Sequence, residues 1–170
     1  MTSTTKPLTL HAHATGPNPI KIAMALEFLS IPYTIKMWDF GDDAEKGVKG
    51  TSFTAINENG RVPALEDPNT GVVSWESGAV MNYVRRVYDK EGKLGPRGKE
   101  EQDVVDLEKW EYFLLSTLGP MTGECGISVT RVTSSGYVTW LLTFVYRTGE
   151  LVQVSDVTHL ARYGKKAIDS

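Results

Sequence analysis

Cysteine is almost absent from this chain of 170 residues: Cys125 stands alone, so no disulfide can form within the chain. The 3 histidines are scattered and no C-x-x-C pair occurs, which argues against a zinc site. The formal net charge of −3 leaves no excess of basic residues for a nucleic-acid surface. We therefore expect neither a bound metal nor a nucleic-acid partner.

Long apolar runs are missing as well. The longest, "YVTWLLTFVY", has about half of the length that a membrane span requires. The opening "MTSTTKPLTL" lacks the basic and apolar regions of a signal peptide. With 41% hydrophobic and 23% charged residues, the composition is typical of a soluble globular protein. We expect a cytoplasmic protein that has no membrane partner.

The first half of the chain contains a clear order of predicted elements. They are a strand in "LTLHAH", a helix in "TGPNPIKIAMALEFLSI", a strand in "PYTIKMWDF", a short irregular helix in "SFTAI", a hairpin from "VPAL" to "GVVSW", and a helix in "ESGAVMNYVRRVYDK". For the first helix we expect Asn18 as N-cap and Pro19 as the first helical residue. A parallel β-α-β unit joined to an antiparallel hairpin is a thioredoxin-like arrangement, and we predict an α/β domain of this kind over residues 6–91.

Pro63 stands where the first hairpin strand begins, although proline cannot donate to a strand ladder. The cis isomer of an X–Pro bond costs only about 0.5–1 kcal/mol. In the context of the predicted fold we expect a cis Val62–Pro63 bond, which would turn the N–H and C=O of Val62 towards solvent. An extended peptide could then pair with this free edge. The alternative is an ordinary trans proline in a turn.

Glu76 and Ser77 lie between the last hairpin strand and the following helix. A helix N-terminus has unpaired N–H groups and a partial positive charge, so it suits an anion. Ser77 can add a hydroxyl to a carboxylate there, and Glu76 can pair with an ammonium group. Together they suit an α-amino-acid head, although Ser77 could simply cap its own helix. With the peptide edge at Val62, they indicate a small peptide with a free amino-acid end, such as glutathione.

Three segments, "GPNPIKIAMALE", "INENGRVPALEDP" and "SWESGAVMNY", resemble the amino-terminal domain of fungal glutathione S-transferases, including the branch that resembles a yeast nitrogen regulator. The resemblance covers about residues 6–124 and is closer still to transferases of gliotoxin-type toxin biosynthesis. It implies that Arg61, Val62 and Pro63 hold the cysteinyl-glycine part of glutathione. It further implies that Glu76 and Ser77 hold the γ-glutamyl part.

A transferase of this kind needs a donor that stabilises the thiolate of glutathione. Many transferases use a Tyr, Ser or Cys after the first strand, but none of these occurs between Leu10 and Pro19. The resemblance to the fungal branch implies that Asn18 approaches the sulfur. Thr15 is the nearest hydroxyl and the second candidate, and we interpret His13 as a loop residue without a catalytic role.

The second half begins with "KEEQDVVDLEKWEYFLLSTLGPM", an amphipathic helix that resembles the first helix of the all-α second domain of transferases. From about residue 125 the chain departs from that family, because 11 Ser or Thr and 7 Val but only 2 Ala occur in 46 residues. We therefore predict a partial helical domain over residues 97–170 that is incomplete or altered. A frameshift or a splicing product is our hypothesis for the tail.

The resemblance thus implies an enzyme that conjugates glutathione, as co-substrate, to a small electrophile, and it points to fungal toxin biosynthesis. Within enzymes, the alternatives are general detoxification and disulfide reduction by glutathione. From another class, a non-catalytic binding or regulatory protein could use the same fold. The resemblance is also compatible with a homodimer.

Overall fold

The computed structural model of the chain describes residues 5–14, 16–96, 98 and 100–120. The predictions for Thr15 and for the tail from about residue 125 therefore lie outside the described residues. One compact unit ends at Lys90, and a second begins at Glu91. The exact extent of the two predicted domains stays a prediction.

The first unit contains four strands and three helices in the predicted order. They are β1 (Leu8–Ala12), α1 (Pro17–Phe28), β2 (Tyr33–Met37), α2 (Thr51–Thr54), β3 (Ala64–Asp67), β4 (Val72–Trp75) and α3 (Ser77–Tyr88). The strands form one sheet in the order β2-β1-β3-β4. β1 and β2 run parallel, whereas β3 is antiparallel to both β1 and β4. This mixed sheet confirms the predicted thioredoxin-like fold.

The main core lies between the sheet and two helices that pack against each other, α1 and α3. Leu8 and Leu10 of β1 are fully buried, as are Ile22 of α1 and both Val80 and Val84 of α3. Because each such side chain contributes about 1.5–3 kcal/mol when it is removed from water, this layer holds the helices on the sheet.

The start of α1 differs from the sequence prediction. The N-cap is Gly16, and Pro17 is the first helical residue, so the prediction of Asn18 as N-cap and Pro19 as first residue was wrong by two positions. Both prolines have the fixed φ and the missing N–H that suit the start of a helix, and the helix begins at the earlier one, Pro17. Asn18 consequently lies within the first turn, where its side chain is exposed.

In the second unit, α4 (Glu101–Phe113) continues into a π-helical turn over Leu114–Leu118. A reciprocal capping box between Glu100 and Asp103 begins this helix. Several large apolar side chains of this segment are exposed within the described part of the chain, among them Trp110. No helix in the described ranges is long and apolar enough to cross a bilayer.

Asp67 is a buried carboxylate at the end of β3, only 2% exposed. It accepts hydrogen bonds from the hydroxyls of Tyr83 and Tyr88 and, at 2.8 and 2.9 Å, from the backbone N–H and side-chain amide of Asn69. Burial raises the pKa of Asp67, but these hydrogen bonds outweigh it and lower the pKa from 3.8 to about 2. Asn69 also bonds the backbone of Lys6 in both directions, so the network ties the start of the chain to the hairpin.

This network predicts an acid-sensitive contribution to stability. Because the pKa of Asp67 is lower in the folded chain, its contribution is fully present above about pH 4 and is lost as the pH falls towards 2. At 1.36 kcal/mol per pKa unit, the shift corresponds to about 2 kcal/mol. Asp67→Asn should lower the free energy of unfolding by about that amount at neutral pH and flatten its decline below pH 4.

Urea unfolding followed by tryptophan fluorescence at neutral and acidic pH measures both effects. Asp42→Asn is the matched control, since Asp42 is exposed in the loop after β2. If the two variants lose the same stability and keep the same acid decline as the unsubstituted chain, the assigned role of Asp67 is incorrect.

Candidate functional site

Strand pairing brings the predicted site segments to one end of the sheet. His11, near the end of β1, pairs with Ala64 at the start of β3, and Ala64 in turn pairs with Trp75 at the end of β4. The loop after β1, residues 61–63 and residues 76–77 therefore lie next to one another. Asn18, in the first turn of α1 behind the first loop, belongs to the same end.

The Val62–Pro63 peptide bond is cis, as predicted. Pro63 is buried, whereas Val62 is half-buried and packs against a cluster that includes Trp38 and Phe53. β3 begins only at Ala64, so the backbone groups of Val62 precede the strand ladder. A backbone segment outside the ladder is one to which an added peptide strand can pair.

Asn57 holds the loop that leads into this edge, and the sequence analysis did not single it out. Its side chain is 1% exposed; its amide donates to the C=O of Arg61 at 2.6 Å, and its Oδ1 accepts the N–H of Asn59 at 3.0 Å. Gly60 between them has a φ of 59°, and a Cβ there would lie 2.7 Å from the C=O of Val48. The "NENG" pattern could have indicated this role of Asn57, since asparagine side chains commonly bond the backbone two residues further along the chain.

Glu76 adopts φ 67° and ψ 119°, a conformation that is rare for any residue except glycine. Such a backbone costs on the order of 1–3 kcal/mol and persists only where the surroundings impose it, often at a functional site. Here the imposed turn joins β4 directly to α3 and leaves the side chain of Glu76 exposed. The carboxylate is thus accessible to a cationic group at the end of the sheet.

Ser77 is the first residue of α3 and is only 3% exposed. Its hydroxyl does not cap its own helix; instead, the oxygen accepts a hydrogen bond from Lys21 Nζ at 2.8 Å. The first turn of α3 contains no acidic residue, so the partial positive charge of the helix end is not neutralised within the turn. This corner of the site therefore favours a negative group.

Lys21, in the second turn of α1, is a residue that the sequence analysis missed. It reaches the site because α1 and α3 pack against each other on the same face of the sheet. Helical spacing places Lys21 between the buried core positions of α1, but no local pattern identifies its partner, which lies 56 residues away in sequence. Only the predicted fold could have suggested the contact.

Of the two candidates for the thiolate donor, the structure places only Asn18. It is exposed in the first turn of α1, and its side chain does not cap the helix. His13, which we interpreted as a loop residue, stacks on Phe40 with ring centroids 3.7 Å apart. Phe40 is 69% exposed, so the pair presents an aromatic surface near the end of β1 and β2.

His11 is fully buried beneath this end of the sheet and fixes Trp38. The indole N–H of Trp38 donates to His11 Nδ1 at 2.9 Å, so the ring proton lies on Nε2, which donates to Glu66 at 2.7 Å. Burial lowers the pKa of His11 more than the Glu66 carboxylate raises it. His11 is therefore neutral at physiological pH, and Trp38 stays in place under Val62.

Across the described ranges, His, Cys, Asp and Glu side chains do not form any group of three or more that could hold a metal ion. What the site does offer is a free peptide edge, an exposed carboxylate, a buried hydroxyl at a helix N-terminus and one amide. These are groups for binding and orienting a polar peptide.

Comparison with known proteins follows from this fold and this site. Residues 6–86 match the family described as glutathione S-transferase, N-terminal domain. The chain is 35% identical over 118 residues to the glutathione S-transferase-like protein OpS6 of Beauveria bassiana. This match covers 69% of this chain and 51% of that protein. It is 38% identical over 110 residues to the glutathione S-transferase-like protein gedE of Aspergillus terreus, which covers 64% and 46%.

Solved structures give the same result. Ure2p in complex with glutathione superimposes with a TM-score of 0.63 at 27% identity, covering 85% of this chain and 66% of that chain. The transferase URE2P8 of Phanerochaete chrysosporium with oxidized glutathione gives 0.64 at 32% identity, covering 85% and 65%. The predicted resemblance to fungal glutathione S-transferases is confirmed. This chain spans about half of the length of the curated relatives named above.

The neutral His11 generates a prediction about pH. Its pKa is 6.5 in the unfolded chain and lower in the folded one, so stability is full above pH 6.5 and falls as the pH drops below it. One such proton changes the free energy of unfolding by at most about 1.36 kcal/mol per pH unit. His11→Gln should remove this decline, and Glu66→Gln should steepen it because the carboxylate no longer raises the pKa.

Urea unfolding at several pH values between about 5 and 8 provides the measurement. His13→Gln is the matched control and should keep the decline of the unsubstituted chain. The same pH slope in His11→Gln and in the unsubstituted chain would show that His11 does not carry the effect.

Proposed function

We propose that this protein is a glutathione transferase whose first unit binds glutathione at the end of the sheet. The observation that supports this most is the pairing of Ala64 with Trp75. It sets the peptide edge at Val62 and Pro63 beside Glu76 and Ser77, which we call the head pocket. Glutathione needs both features at once, because it is an extended peptide that carries a free α-amino acid at one end.

Each half of the ligand has its own binding groups in this proposal. The backbone of Val62 pairs with the cysteinyl residue as an added strand, and Arg61 with Pro63 shapes the glycine side of the edge. At the other half, the exposed carboxylate of Glu76 binds the ammonium group of the γ-glutamyl residue. The hydroxyl of Ser77 and the N-terminal N–H groups of α3 bind its carboxylate.

The chemistry is carried by the sulfur of glutathione. A free thiol has a pKa near ~8.5, and lowering it by two units requires about 2.7 kcal/mol of preference for the anion. Asn18 donates its amide N–H to the sulfur, helped by the N-terminus of α1, and Thr15 is the second candidate. The thiolate then attacks the electrophile, a C–S bond forms, and the leaving group departs with its electron pair.

The electrophile is a small molecule, and the resemblance favours an activated intermediate of a sulfur-containing fungal toxin.

We further propose a first domain over residues 6–91 and a second, helical domain from residue 97, which would form much of the electrophile site. In this proposal the protein is cytoplasmic, takes no metal, and can assemble as a homodimer. General detoxification and disulfide reduction by glutathione are the enzymatic alternatives.

A non-catalytic binding or regulatory protein is the second candidate function. The observation that favours it is the composition of residues 11–18, from the end of β1 to the first turn of α1, which include no Tyr, Ser or Cys. Binding of glutathione without turnover of any electrophile would distinguish this candidate from a transferase. An aromatic chloride whose chloride glutathione displaces is a suitable first electrophile, since the product absorbs visible or near-ultraviolet light.

Substitutions in the head pocket test glutathione binding. Ser77→Ala and Glu76→Gln should each weaken binding by about 1–3 kcal/mol, because each leaves one charged group of the ligand poorly paired. Calorimetry measures the change, and Glu45→Gln, an exposed position in the loop after β2, is the matched control. N-acetylated glutathione should bind equally to the unsubstituted chain and to Glu76→Gln. Unchanged glutathione affinity in both variants would contradict the assignment.

Substitutions in the first loop test the thiolate donor. A hydrogen bond to a charged group of about 1.5 kcal/mol corresponds to about one pKa unit, so Asn18→Ala should raise the pKa of bound glutathione by about that much. The ultraviolet absorbance of the thiolate, titrated with pH, measures it. A shift in Thr15→Ala but not in Asn18→Ala would reverse our order of the two residues. No shift in either would favour the non-catalytic candidate.

A further inference from the structure

One apolar cluster of buried side chains contacts both halves of the proposed site. Its members are Trp38, Val48, Phe53 and Ala64. Val62, whose backbone forms the peptide edge, packs against this cluster, and so does Trp75, the residue directly before the head pocket. Because closely packed side chains leave few voids, a displacement of one is transmitted to its neighbours. The arrangement of the cluster therefore influences the positions of both ligand-binding segments.

The indole of Trp38 is oriented within the cluster by a histidine of β1. Its N–H donates to His11 Nδ1 at 2.9 Å, and the two residues are only 2% and 0% exposed. An indole N–H buried this deeply is costly without an acceptor, because water cannot replace the lost hydrogen bond. The ring of Phe53 packs on both, with centroids 4.9 Å from Trp38 and 6.0 Å from His11. The hydrogen bond thus selects one position of the indole.

This bond exists only while Nδ1 of His11 carries no proton. A neutral imidazole accepts at one nitrogen, whereas the imidazolium donates at both. Nε2 of His11 already donates to Glu66 at 2.7 Å, so an added proton goes to Nδ1. Two N–H donors would then face each other across the 2.9 Å between His11 and Trp38. The charged ring is held more strongly by Glu66, and the indole is therefore the group that moves.

The groups around His11 determine when it takes up that proton. Burial lowers the pKa of His11 below 6.5 and is the largest influence. Glu66 on β3 raises the pKa, and Lys36 on β2, the partner of His11 in the parallel register, lowers it. The helix α2 contributes the ring of Phe53 to this environment and contains no charged residue. Protonation of His11 in the folded chain consequently occurs only as the pH falls below 6.5.

We propose that His11 is a positioning residue for the glutathione site, and that its protonation releases Trp38 and weakens the binding of glutathione. This inference rests on the proposed function and names how the same site responds to pH. His11 does not touch the ligand, since it acts through Trp38 on the cluster that supports Val62 and Trp75. Affinity is full above pH 6.5 and falls as the pH drops below it. Because binding and protonation are linked, bound ligand lowers the pKa of His11 further.

Calorimetry with S-methylglutathione between about pH 5 and 7 tests this. The thioether does not titrate, and terminal carboxylates and amines titrate near about 3.5 and about 8, so this probe keeps its charge. The unsubstituted chain should bind it about 5- to 10-fold more weakly at pH 5 than at pH 7, as expected for the loss of one hydrogen bond. His11→Gln keeps an acceptor for the indole and a donor for Glu66 but does not titrate, so its affinity should not decline. Any pH effect of Glu76 is common to both proteins and cancels in the comparison.

Three further measurements separate positioning from a merely structural role. Trp38→Phe keeps an aromatic ring but removes the indole N–H, so the pH dependence of affinity should be lost although His11 still titrates. His13→Gln is the matched control and should keep the dependence of the unsubstituted chain. In the unsubstituted chain, the NMR titration midpoint of the His11 ring should fall with saturating S-methylglutathione, by about one pH unit for a tenfold change in affinity. This last measurement holds even if a variant fails to fold.

The outcomes are distinct. An affinity of the unsubstituted chain that does not change with pH, or an unchanged midpoint of His11 with ligand, would overturn the role of His11 and leave the proposed function intact. A pH dependence that persists in folded His11→Gln or Trp38→Phe would overturn it as well. Failure of the unsubstituted chain to bind either glutathione or S-methylglutathione at pH 7 would overturn the proposed function, and this inference with it. Loss of the dependence in both variants, with a lower midpoint in the complex, would support it.

Discussion

The pairing of Ala64 with Trp75 determines how far the peptide edge lies from the head pocket. Side chains alternate between the faces of a sheet, so a slip of one residue would turn every side chain of β4 to the opposite face. Both ends of this hairpin resist such a slip. Asp67 and its tyrosines hold the tip, and the turn at Glu76 joins the other end directly to α3.

Three buried polar side chains hold the hairpin and the loops that carry the site, and each has its partners. Asn57 bonds the loop before the cis proline, His11 holds Trp38, and Asp67 holds the hairpin tip. Burial of such groups is costly unless hydrogen bonds replace water. Because each group here has specific partners, the network specifies one arrangement of the loops that a purely apolar core would leave open.

The order of strands and helices could be predicted because each element carries its own periodic pattern and its own turn residues. The cis bond at Pro63 followed from placing those patterns in one fold. The binding roles of Glu76 and Ser77 stay predictions. Two kinds of detail could not be obtained in this way. The start of α1 was two residues off, because Pro17 and Pro19 both satisfy the local rule for a first helical residue. Lys21 and His11 depend on contacts between distant segments, which local patterns do not encode.

Every described residue that we assign to glutathione lies before Lys90, within the first of the two units. In the proposed function, the residues that bind the donor therefore lie in one continuous stretch of the chain, separate from the segment that begins at Glu91. Selection can alter the later segment, even drastically, while recognition of the shared donor is inherited unchanged. A lineage can in this way acquire new acceptors without evolving a new means of holding glutathione.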